Sequence, residues 1–219
     1  MAVDAATLDA LARLGTATVY EACGRDGLID LPLHSVVPGA AVAGPARTVS
    51  CGQGDNLMVH AAIPHLRVGE VLVVAMPEPE PVALAGDLLI TQMIAHGAAG
   101  LVLNGAVRDS AALRRLGLPT WAPFVRVRGS QRRAAGTIGD PVEIGGTTVR
   151  NGDVIVADAD GAVAVPADRI AEVLGTARER ARDEQDKQAQ FEEGVTSFEL
   201  YGLDRDWPQL AARDRDDEP

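Results

Sequence analysis

The chain has 219 residues, a formal net charge of -11 at pH 7 and an isoelectric point near 4.7. A chain this acidic repels nucleic acid and anionic membrane surfaces, so neither is expected as a partner. Hydrophobic residues make up 47% of the sequence but aromatic residues only 3%, and the length suits one core. A compact α/β or α+β enzyme is therefore favoured over a helical bundle.

The first half of the chain alternates predicted helices with short apolar strands. In chain order these are helices at 8–15 and 16–23, a strand at 41–51 interrupted by Gly44-Pro45, a helix through Met58 and His60, a strand at 71–76, a helix at 88–96, a strand at 101–103 and a helix at 110–116. Alternation of this kind is typical of a layered sheet with helices packed against it.

The second half is richer in strands separated by glycine turns. Strands are predicted at 125–128, 142–144, 147–150, 154–157 and 162–165, followed by an amphipathic helix from 167 to about 190 and an acidic tail after Tyr201. These patterns predict one catalytic domain over residues 1–175. The helix and tail over 176–219 are expected to pack on a neighbouring subunit or to remain mobile.

The cysteines and the apolar runs indicate where the protein resides. Cys23 and Cys51 form no CxxC or Cys/His cluster, which favours a reducing compartment and a structural role. No basic and apolar leader precedes Asp4, and no apolar run approaches the roughly 18 to 20 residues of a membrane span. We therefore expect a soluble, cytoplasmic protein.

The most informative pattern is Asp87, then twenty intervening residues, then Arg108 and Asp109. All three lie at the mouths of predicted elements, where polar chemistry is commonly presented. A carboxylate suits a hard divalent cation, and a guanidinium suits a substrate carboxylate. Gly86 and Gly105 would permit close approach to a ligand. The alternative is structural, with Arg108 and Asp109 as an exposed ion pair and both aspartates capping helices.

Other catalytic chemistries have weaker support. The four histidines, His34, His60, His65 and His96, lack metal-ligand spacing. We interpret His60 as a core or interface residue and His96 as a partner for a helix C-terminus. Lys187 is the only lysine and lies among charges, so a Schiff base is not expected. Gly52-x-Gly54 is too short for a dinucleotide loop, and residues 158–161 favour a hairpin turn over a calcium loop.

Gly86-Asp87-Leu88-Leu89, the gap, and Arg108-Asp109 resemble the metal-dependent class II pyruvate aldolases that cleave 4-hydroxy-4-methyl-2-oxoglutarate and 4-carboxy-4-hydroxy-2-oxoadipate. These enzymes are close relatives of the RraA-like proteins. The likeness extends to 11–23, 38–49, 54–60 and 151–158, and covers roughly residues 8 to 175. It implies an α+β fold, a β/β/α sandwich of the RraA-like swivelling type. It also implies a homotrimer or a dimer of trimers with active sites between subunits.

The resemblance also implies the site chemistry. Asp109 would hold Mg²⁺ or Mn²⁺, largely through water, and a small 2-keto acid would chelate the ion. Arg108 would bind the keto and carboxylate oxygens and stabilise a pyruvate enolate, while Asp87 would orient water on the metal. Backbone amides of Gly86, Asp87, Leu88 and Leu89 would hold the substrate carboxylate. The expected reactions are carbon-carbon cleavage of 4-hydroxy-2-keto acids to release pyruvate, and decarboxylation of oxaloacetate.

One departure from the family and two rival functions remain. The family aldolases carry a glutamate from the neighbouring subunit near the C-terminus, where this chain has Val195; Glu192, Glu193 and Glu199 are alternatives. The main rival is an RraA-like regulator that inhibits a ribonuclease by protein contact, without catalysis. Such a regulator has no need of the intact constellation. Methyl transfer to a quinone is disfavoured, because no convincing glycine-rich cofactor loop is present.

Overall fold

The computed structural model describes residues 3–207 and residue 210. Within these residues the helices are α1 (Ala5–Ala22), α2 (Leu57–Ala62), α3 (Asp87–Ala95), α4 (Ser110–Leu116), α5 (Ile170–Glu192), α6 (Ser197–Leu200) and α7 (Leu203–Asp206). The strands are β1 (His34–Ser35), β2 (Val42–Ser50), β3 (Val71–Ala75), β4 (Ala83–Ala85), β5 (Gly100–Leu103), β6 (Ala106–Val107), β7 (Thr120–Ala122), β8 (Phe124–Val125), β9 (Thr137–Ile138), β10 (Val142–Ile144), β11 (Thr147–Val149), β12 (Val154–Asp158) and β13 (Gly161–Val165).

An eight-stranded sheet forms the centre of the domain. Its order is β1, β7, β5, β3, β2, β12, β13, with β9 pairing beside β2. In the middle of the sheet, three pairs are parallel: β2 with β3, β3 with β5, and β5 with β7. The two outer ends of the sheet are antiparallel. Every residue of β3 is buried, as expected for a strand that is covered on both faces.

Alternate residues of the central strands face two different layers. Leu72 and Val74 of β3 pack with Ile90 of α3 and the other helical residues on one face. Val71 and Val73 pack with the β10–β11 hairpin on the opposite face. A third core joins α1 and the first turns of α5 to β12 and β13. This arrangement is the predicted α+β fold, a β/β/α sandwich.

A second, smaller sheet has the order β4, β6, β8, and all of its strands are parallel. The chain passes from β4 through α3 and β5 before it reaches β6. Val107 at the end of β6 is paired with Ala85 at the end of β4. Because parallel strands present their carboxyl ends at one edge, the residues that follow β4 and β6 leave the sheet side by side.

The predicted break in the strand at 41–51 is wrong. Strand β2 runs continuously through Gly44 and Pro45. Residues 42–45 pair with β12, whereas residues 46–50 pair with β3. The proline therefore lies where the strand changes partner, and its missing N–H falls between the two ladders.

The strand predicted at 125–128 is wrong over most of its length. Only Phe124–Val125 forms regular strand, as β8. The following residues are exposed and keep single hydrogen bonds to the small sheet, such as the one from the N–H of Ala83 to the carbonyl of Arg128 at 2.7 Å. The alternation of Arg and Val in the sequence predicts a strand, but within the described part of the chain these exposed residues form no continuous ladder of hydrogen bonds with a neighbouring strand.

The predicted division between helices at 8–15 and 16–23 is confirmed, because the backbone leaves the helical conformation at Gly15. Gly15 interrupts α1 with φ 80° and ψ 162°. The Asp158 carboxylate then accepts hydrogen bonds from the Thr16 N–H at 2.8 Å and from the Thr16 hydroxyl. It restarts the helix as an N-cap would. Asp158 pairs with Gly161 across the β12–β13 turn, so the predicted hairpin is also confirmed.

The described residues form two compact units, one that ends at Arg178 and one that begins at Glu179. In the second unit, Thr196 and Glu199 form a capping box at the start of α6, and the Lys187 ammonium lies 5.4 Å from the ring centroid of Tyr201. The acidic end of the tail, beyond residue 210, lies outside the described residues. Among the residues described, no helix has the length and apolar character needed to cross a membrane.

Candidate active site

Asp87, Arg108 and Asp109 lie together at the carboxyl ends of β4 and β6. Arg108 Nε is 3.4 Å from Asp109 Oδ2, and the backbone nitrogen of Asp87 is also 3.4 Å from that oxygen. The Arg108 N–H donates to the Ala85 carbonyl at 3.0 Å and ties the two strand ends together. The twenty-residue gap is thus the length of one crossover between neighbouring parallel strands.

Gly86 lies in close approach to two charged side chains. A Cβ atom at this position would come 2.6 Å from Asp109 Oδ2 and 3.0 Å from Arg108 Nε. Its backbone is extended, with φ -145°, so other residues could adopt the same dihedral angles. The constraint is therefore the space that the two charged side chains occupy.

Neither aspartate acts as a side-chain helix cap. Asp109 occupies the N-cap position of α4, but its carboxylate makes no capping hydrogen bond. It has left-handed backbone angles, φ 59° and ψ 35°, which are uncommon for a residue with a side chain. Asp87 is the first residue of α3, after the N-cap Gly86, and among the described residues its carboxylate accepts only the N–H of the adjacent Leu88, at 2.8 Å. The capping part of the structural alternative is not seen at either N-cap, but the ion-pair part is, because Arg108 and Asp109 lie 3.4 Å apart with side chains 46% and 39% exposed.

A cavity of about 150 Å³ lies beside these residues. Its polar and charged lining consists of Asn56, His60, Asp87, Gln92, Arg108, Ser130 and Arg132. Asp87 and Arg108 also line a wider concave surface with Asp109. Because the inner cavity holds two arginines and one carboxylate, its charge favours a small anion. Leu89 is buried, whereas Leu88 is 73% exposed.

Sequence reasoning missed Asn56, His60 and Arg132 as cavity residues. His60 is half-buried and lines the cavity, so its interpretation as a core or interface residue is incomplete. Asn56 and His60 are four residues apart at the start of α2, so they share a helix face. Two polar residues on this otherwise apolar segment were the available signal.

The surroundings of His60 favour the neutral form of its imidazole. Burial lowers its pKa, and the positive charge of Arg132 lowers it further. The other histidines lie outside the cavity lining. His96 Nδ1 is 2.9 Å from the Gln92 carbonyl at the end of α3, as the helix-terminus interpretation predicts. Cys23 and Cys51 are buried free thiols, and burial raises the pKa of Cys51 to about 12.

Asp55 holds the loop that carries Arg132. Its Oδ2 accepts the N–H of Arg133 at 2.6 Å and that of Ala134 at 3.0 Å, and Oδ1 accepts the N–H of Leu57 at 2.8 Å. Asp55 is only 3% exposed. Burial alone would raise its pKa, but these three hydrogen bonds and the charge of Arg133 outweigh burial and lower it.

Asp55→Asn is expected to reduce the acid sensitivity of the fold. A carboxyl whose pKa is lower in the folded state stabilises the protein above its ordinary pKa of 3.8, and this contribution is lost as the pH falls through the folded value. At pH 7 the variant should unfold at a lower urea concentration than wild type, because its free energy of unfolding is smaller by roughly 1 to 3 kcal/mol. The difference from wild type should shrink at pH 3. Urea titrations at both pH values measure it, and an unchanged difference would contradict it.

The site offers few protein ligands to a metal. Among the described residues, no group of three or more His, Cys, Asp or Glu side chains is close enough to hold an ion. The Asp109 and Asp87 carboxylates are the oxygen donors at the strand ends. An ion bound here would take most of its ligands from water and substrate, as Mg²⁺ commonly does.

The fold is a β/β/α sandwich with carboxylates and an arginine at the ends of two parallel strands. Known proteins resemble it in sequence and in fold. The profile of the RraA-like family, Aldolase/RraA, matches residues 16–164. A Halalkalibacterium halodurans protein provisionally named 4-hydroxy-4-methyl-2-oxoglutarate aldolase is 33% identical over 160 residues, which cover 73% of this chain and 76% of that protein. The chain therefore belongs to the RraA-like family.

Solved structures agree with this assignment. An uncharacterised protein from Pseudomonas syringae pv. tomato superposes with a TM-score of 0.81 at 26% identity, over 90% of this chain and 92% of its own. Streptomyces coelicolor RraAS2, described as an unusual member of the RNase ES inhibitor RraA family, gives a TM-score of 0.76 at 26% identity. That match covers 85% of this chain and 98% of RraAS2. The family thus contains both a provisionally named aldolase and a member of an inhibitor family.

Gly86→Ala is expected to reduce the activity of the site while the fold is retained. The added Cβ must displace Asp109 Oδ2 and Arg108 Nε, and a displacement of about 1 Å can cost roughly a hundredfold in rate. Gly175→Ala is a matched control, because its Cβ would meet nothing within 4 Å. Activity assays and thermal melting measure the two properties. Full activity of Gly86→Ala would show that the close approach is unimportant.

Proposed function

We propose that this protein is a divalent-metal-dependent lyase that cleaves 4-hydroxy-2-keto acids of the 4-hydroxy-4-methyl-2-oxoglutarate type and releases pyruvate. The same enolate chemistry would give it oxaloacetate decarboxylase activity. The observation that carries the proposal is the convergence of Asp87, Arg108 and Asp109 around Gly86 at two adjacent strand ends.

Further support comes from the charges of the chain. The Lys187 ammonium is bonded to Asp183, and this hydrogen bond raises its pKa. It stays protonated and unsuited to a Schiff base. Arg108 and Arg132 are the cations that line the cavity, and Arg108 is the one beside Asp109 that can meet a developing negative charge. The resemblance to the Halalkalibacterium protein supports the same class of reaction.

The proposed reaction breaks the bond between C3 and C4 of the substrate. The C4 hydroxyl would give its proton to Asp87, directly or through water, as a carbonyl forms at C4. The C3–C4 bonding pair becomes the C2=C3 double bond, and the C2=O pair moves onto the keto oxygen. Arg108 donates hydrogen bonds to that oxygen and to the adjacent carboxylate, where charge develops. The enolate then takes up a proton at C3 to give pyruvate. Asp87 is the carboxylate beside Arg108 that would carry this proton, directly or through water.

The carboxylates fit a cation of the Mg²⁺ or Mn²⁺ type. Mg²⁺ is usually bound by one or two carboxylates, with water and substrate oxygens completing its coordination. Asp109 is 39% exposed at its side chain and would hold the ion, with Asp87 nearby. When bound, the ion would supply fixed positive charge to the keto oxygen of the substrate. The amides of residues 86–89, at the start of α3, would hold the substrate carboxylate once the Leu88 N–H is released from the Asp87 carboxylate, to which it donates here.

The direct test is pyruvate release from 4-hydroxy-4-methyl-2-oxoglutarate, followed by coupled oxidation of NADH by lactate dehydrogenase. Purified protein treated with EDTA should be inactive, and addition of Mg²⁺ or Mn²⁺ in excess should restore turnover. Oxaloacetate should be decarboxylated with the same metal dependence. Turnover that survives EDTA treatment would overturn the proposed metal dependence, and no turnover of either substrate would overturn the proposed function.

We also propose that the active form is a homotrimer or a dimer of trimers, and that the C-terminal segment packs on a neighbouring subunit. Exposed apolar side chains near the site, Leu88 and Val127 at 73% and 91% exposure, support a covering surface. Of the glutamates weighed as substitutes for Val195, Glu199 is engaged in the α6 capping box. Light scattering after gel filtration measures the subunit number.

A ribonuclease regulator is the second candidate, and the similarity to RraAS2 is the observation that favours it. A regulator acts by protein contact and does not need Arg108. Purified protein would then inhibit a ribonuclease of the RraA-sensitive type equally well as wild type and as Arg108→Ala. Inhibition of this kind without pyruvate release would favour the regulator over the lyase.

A further inference from the structure

Two buried polar atoms near the active-site cavity have no hydrogen-bond partner among the described residues. They are Oδ1 of Asn56 and Nε2 of His60. Both residues line the cavity together with Asp87 and Arg108. Asn56 is 5% exposed, so more than nine-tenths of it is buried. Buried polar atoms in folded proteins are usually satisfied, which indicates that a ligand group completes this pair.

The hydrogen-bonding role of Asn56 follows from its other contact. Asn56 Nδ2 donates to the Leu84 carbonyl at 2.9 Å. Because a carbonyl oxygen only accepts, the amide nitrogen must face it, and Oδ1 is left as an acceptor. A ligand group at this position must therefore donate a hydrogen. An ionised carboxylate cannot do so, and its charge would also be repelled by the amide oxygen.

His60 complements that acceptor. As a neutral imidazole it offers one donor and one acceptor nitrogen, and it lies on the same face of α2 as Asn56. In the tautomer with the proton on Nε2, His60 donates to a hydroxyl group, and the same hydroxyl can donate to Asn56 Oδ1. The pair is therefore matched to an alcohol rather than to an anion or an apolar group.

We propose that Asn56 and His60 form a subsite for the 4-hydroxyl group of the substrate, so that the site selects hydroxyl-bearing keto acids. The inference rests on the proposed lyase function. Arg108 would hold the pyruvyl half of the molecule, while the α2 wall would hold C4 and its hydroxyl. Oxaloacetate carries a carboxylate and no hydroxyl at C4, so it reaches the same enolate without using this subsite.

The test compares two substrates in one set of variants. Wild type, His60→Phe, His60→Ala, His60→Gln and the exposed control His65→Phe are assayed with 4-hydroxy-4-methyl-2-oxoglutarate and with oxaloacetate. Loss of a buried hydrogen bond should lower kcat/KM for the hydroxy acid roughly tenfold to a hundredfold in His60→Phe and His60→Ala. The loss on oxaloacetate, which has no hydroxyl for the subsite, should be several-fold smaller than the loss on the hydroxy acid.

The remaining variants separate this role from a structural one. His60→Gln presents an amide nitrogen in place of the imidazole and should recover part of the hydroxy acid activity, and His65→Phe should resemble wild type. His60→Ala gives the answer if His60→Phe fails to fold. Equal losses on both substrates, or no loss on either, would overturn the subsite while the lyase function stands. Wild type inactive on both substrates would overturn the lyase function itself.

Discussion

Arg108→Ala is expected to lower kcat for pyruvate release roughly a hundredfold to a thousandfold. The guanidinium lies at the edge of the cavity beside Asp109, and no lysine can replace its charge on the keto oxygen. Because the lost interaction is strongest in the transition state, kcat should fall more than KM rises. Both 4-hydroxy-4-methyl-2-oxoglutarate and oxaloacetate should be affected, since they share the enolate. Steady-state kinetics on both substrates measure the effect.

Two further variants show whether the effect is specific to Arg108. Arg126→Ala removes an exposed arginine that lines only the outer concave surface and should leave kcat within about threefold of wild type, as expected for a surface substitution. Arg108→Lys keeps the charge but loses the planar pair of donors, so it should recover only part of the activity. Arg108→Ala with wild-type kcat would remove Arg108 from the mechanism.

Asp109→Asn is expected to weaken Mn²⁺ binding and to lower activity roughly a hundredfold or more at limiting metal, since second-shell changes alone cost 10 to 100-fold. The substitution removes the carboxylate charge while the amide keeps nearly the same shape. Activity should recover in part at high Mn²⁺ concentration. Titration of free Mn²⁺ by electron paramagnetic resonance measures affinity separately from turnover.

The control for Asp109→Asn is Asp140→Asn, a change of equal charge at an exposed residue of the loop after β9. This control should bind Mn²⁺ as wild type does. If Asp109→Asn binds Mn²⁺ with unchanged affinity, the ion must be held by other ligands and Asp109 is not one of them.

Much of the fold could be predicted because its signals are local. The unbroken apolar run that forms β3 and the glycine that ends the first arm of α1 are visible without any tertiary contact. The predicted interruption of the strand at Gly44-Pro45 is wrong. The sequence does not reveal that β2 pairs with β12 before this point and with β3 after it. The Arg and Val alternation at 125–128 failed for a similar reason, since a ladder needs a neighbour along its whole length.

The site was predictable where its residues are adjacent in sequence or follow strand ends. Asp87, Arg108 and Asp109 meet because β4 and β6 are paired and parallel. The sequence placed these residues at the mouths of elements but predicted neither of the two short strands. Asn56 and His60 reach the same cavity from α2, and no local pattern links that helix to the strands. The two residues stand out only in the structure, because it shows that Asn56 Oδ1 and His60 Nε2 are buried and have no hydrogen-bond partner among the described residues.

A crystal of the full chain soaked with Mn²⁺ and oxalate, a stand-in for the pyruvate enolate, tests the central claim most directly. The account predicts an anomalous peak beside the Asp109 carboxylate, oxalate bound to the ion, and Arg108 donating to the oxalate oxygens. It would be contradicted by Mn²⁺ bound away from Asp109, or by oxalate bound without contact to Arg108.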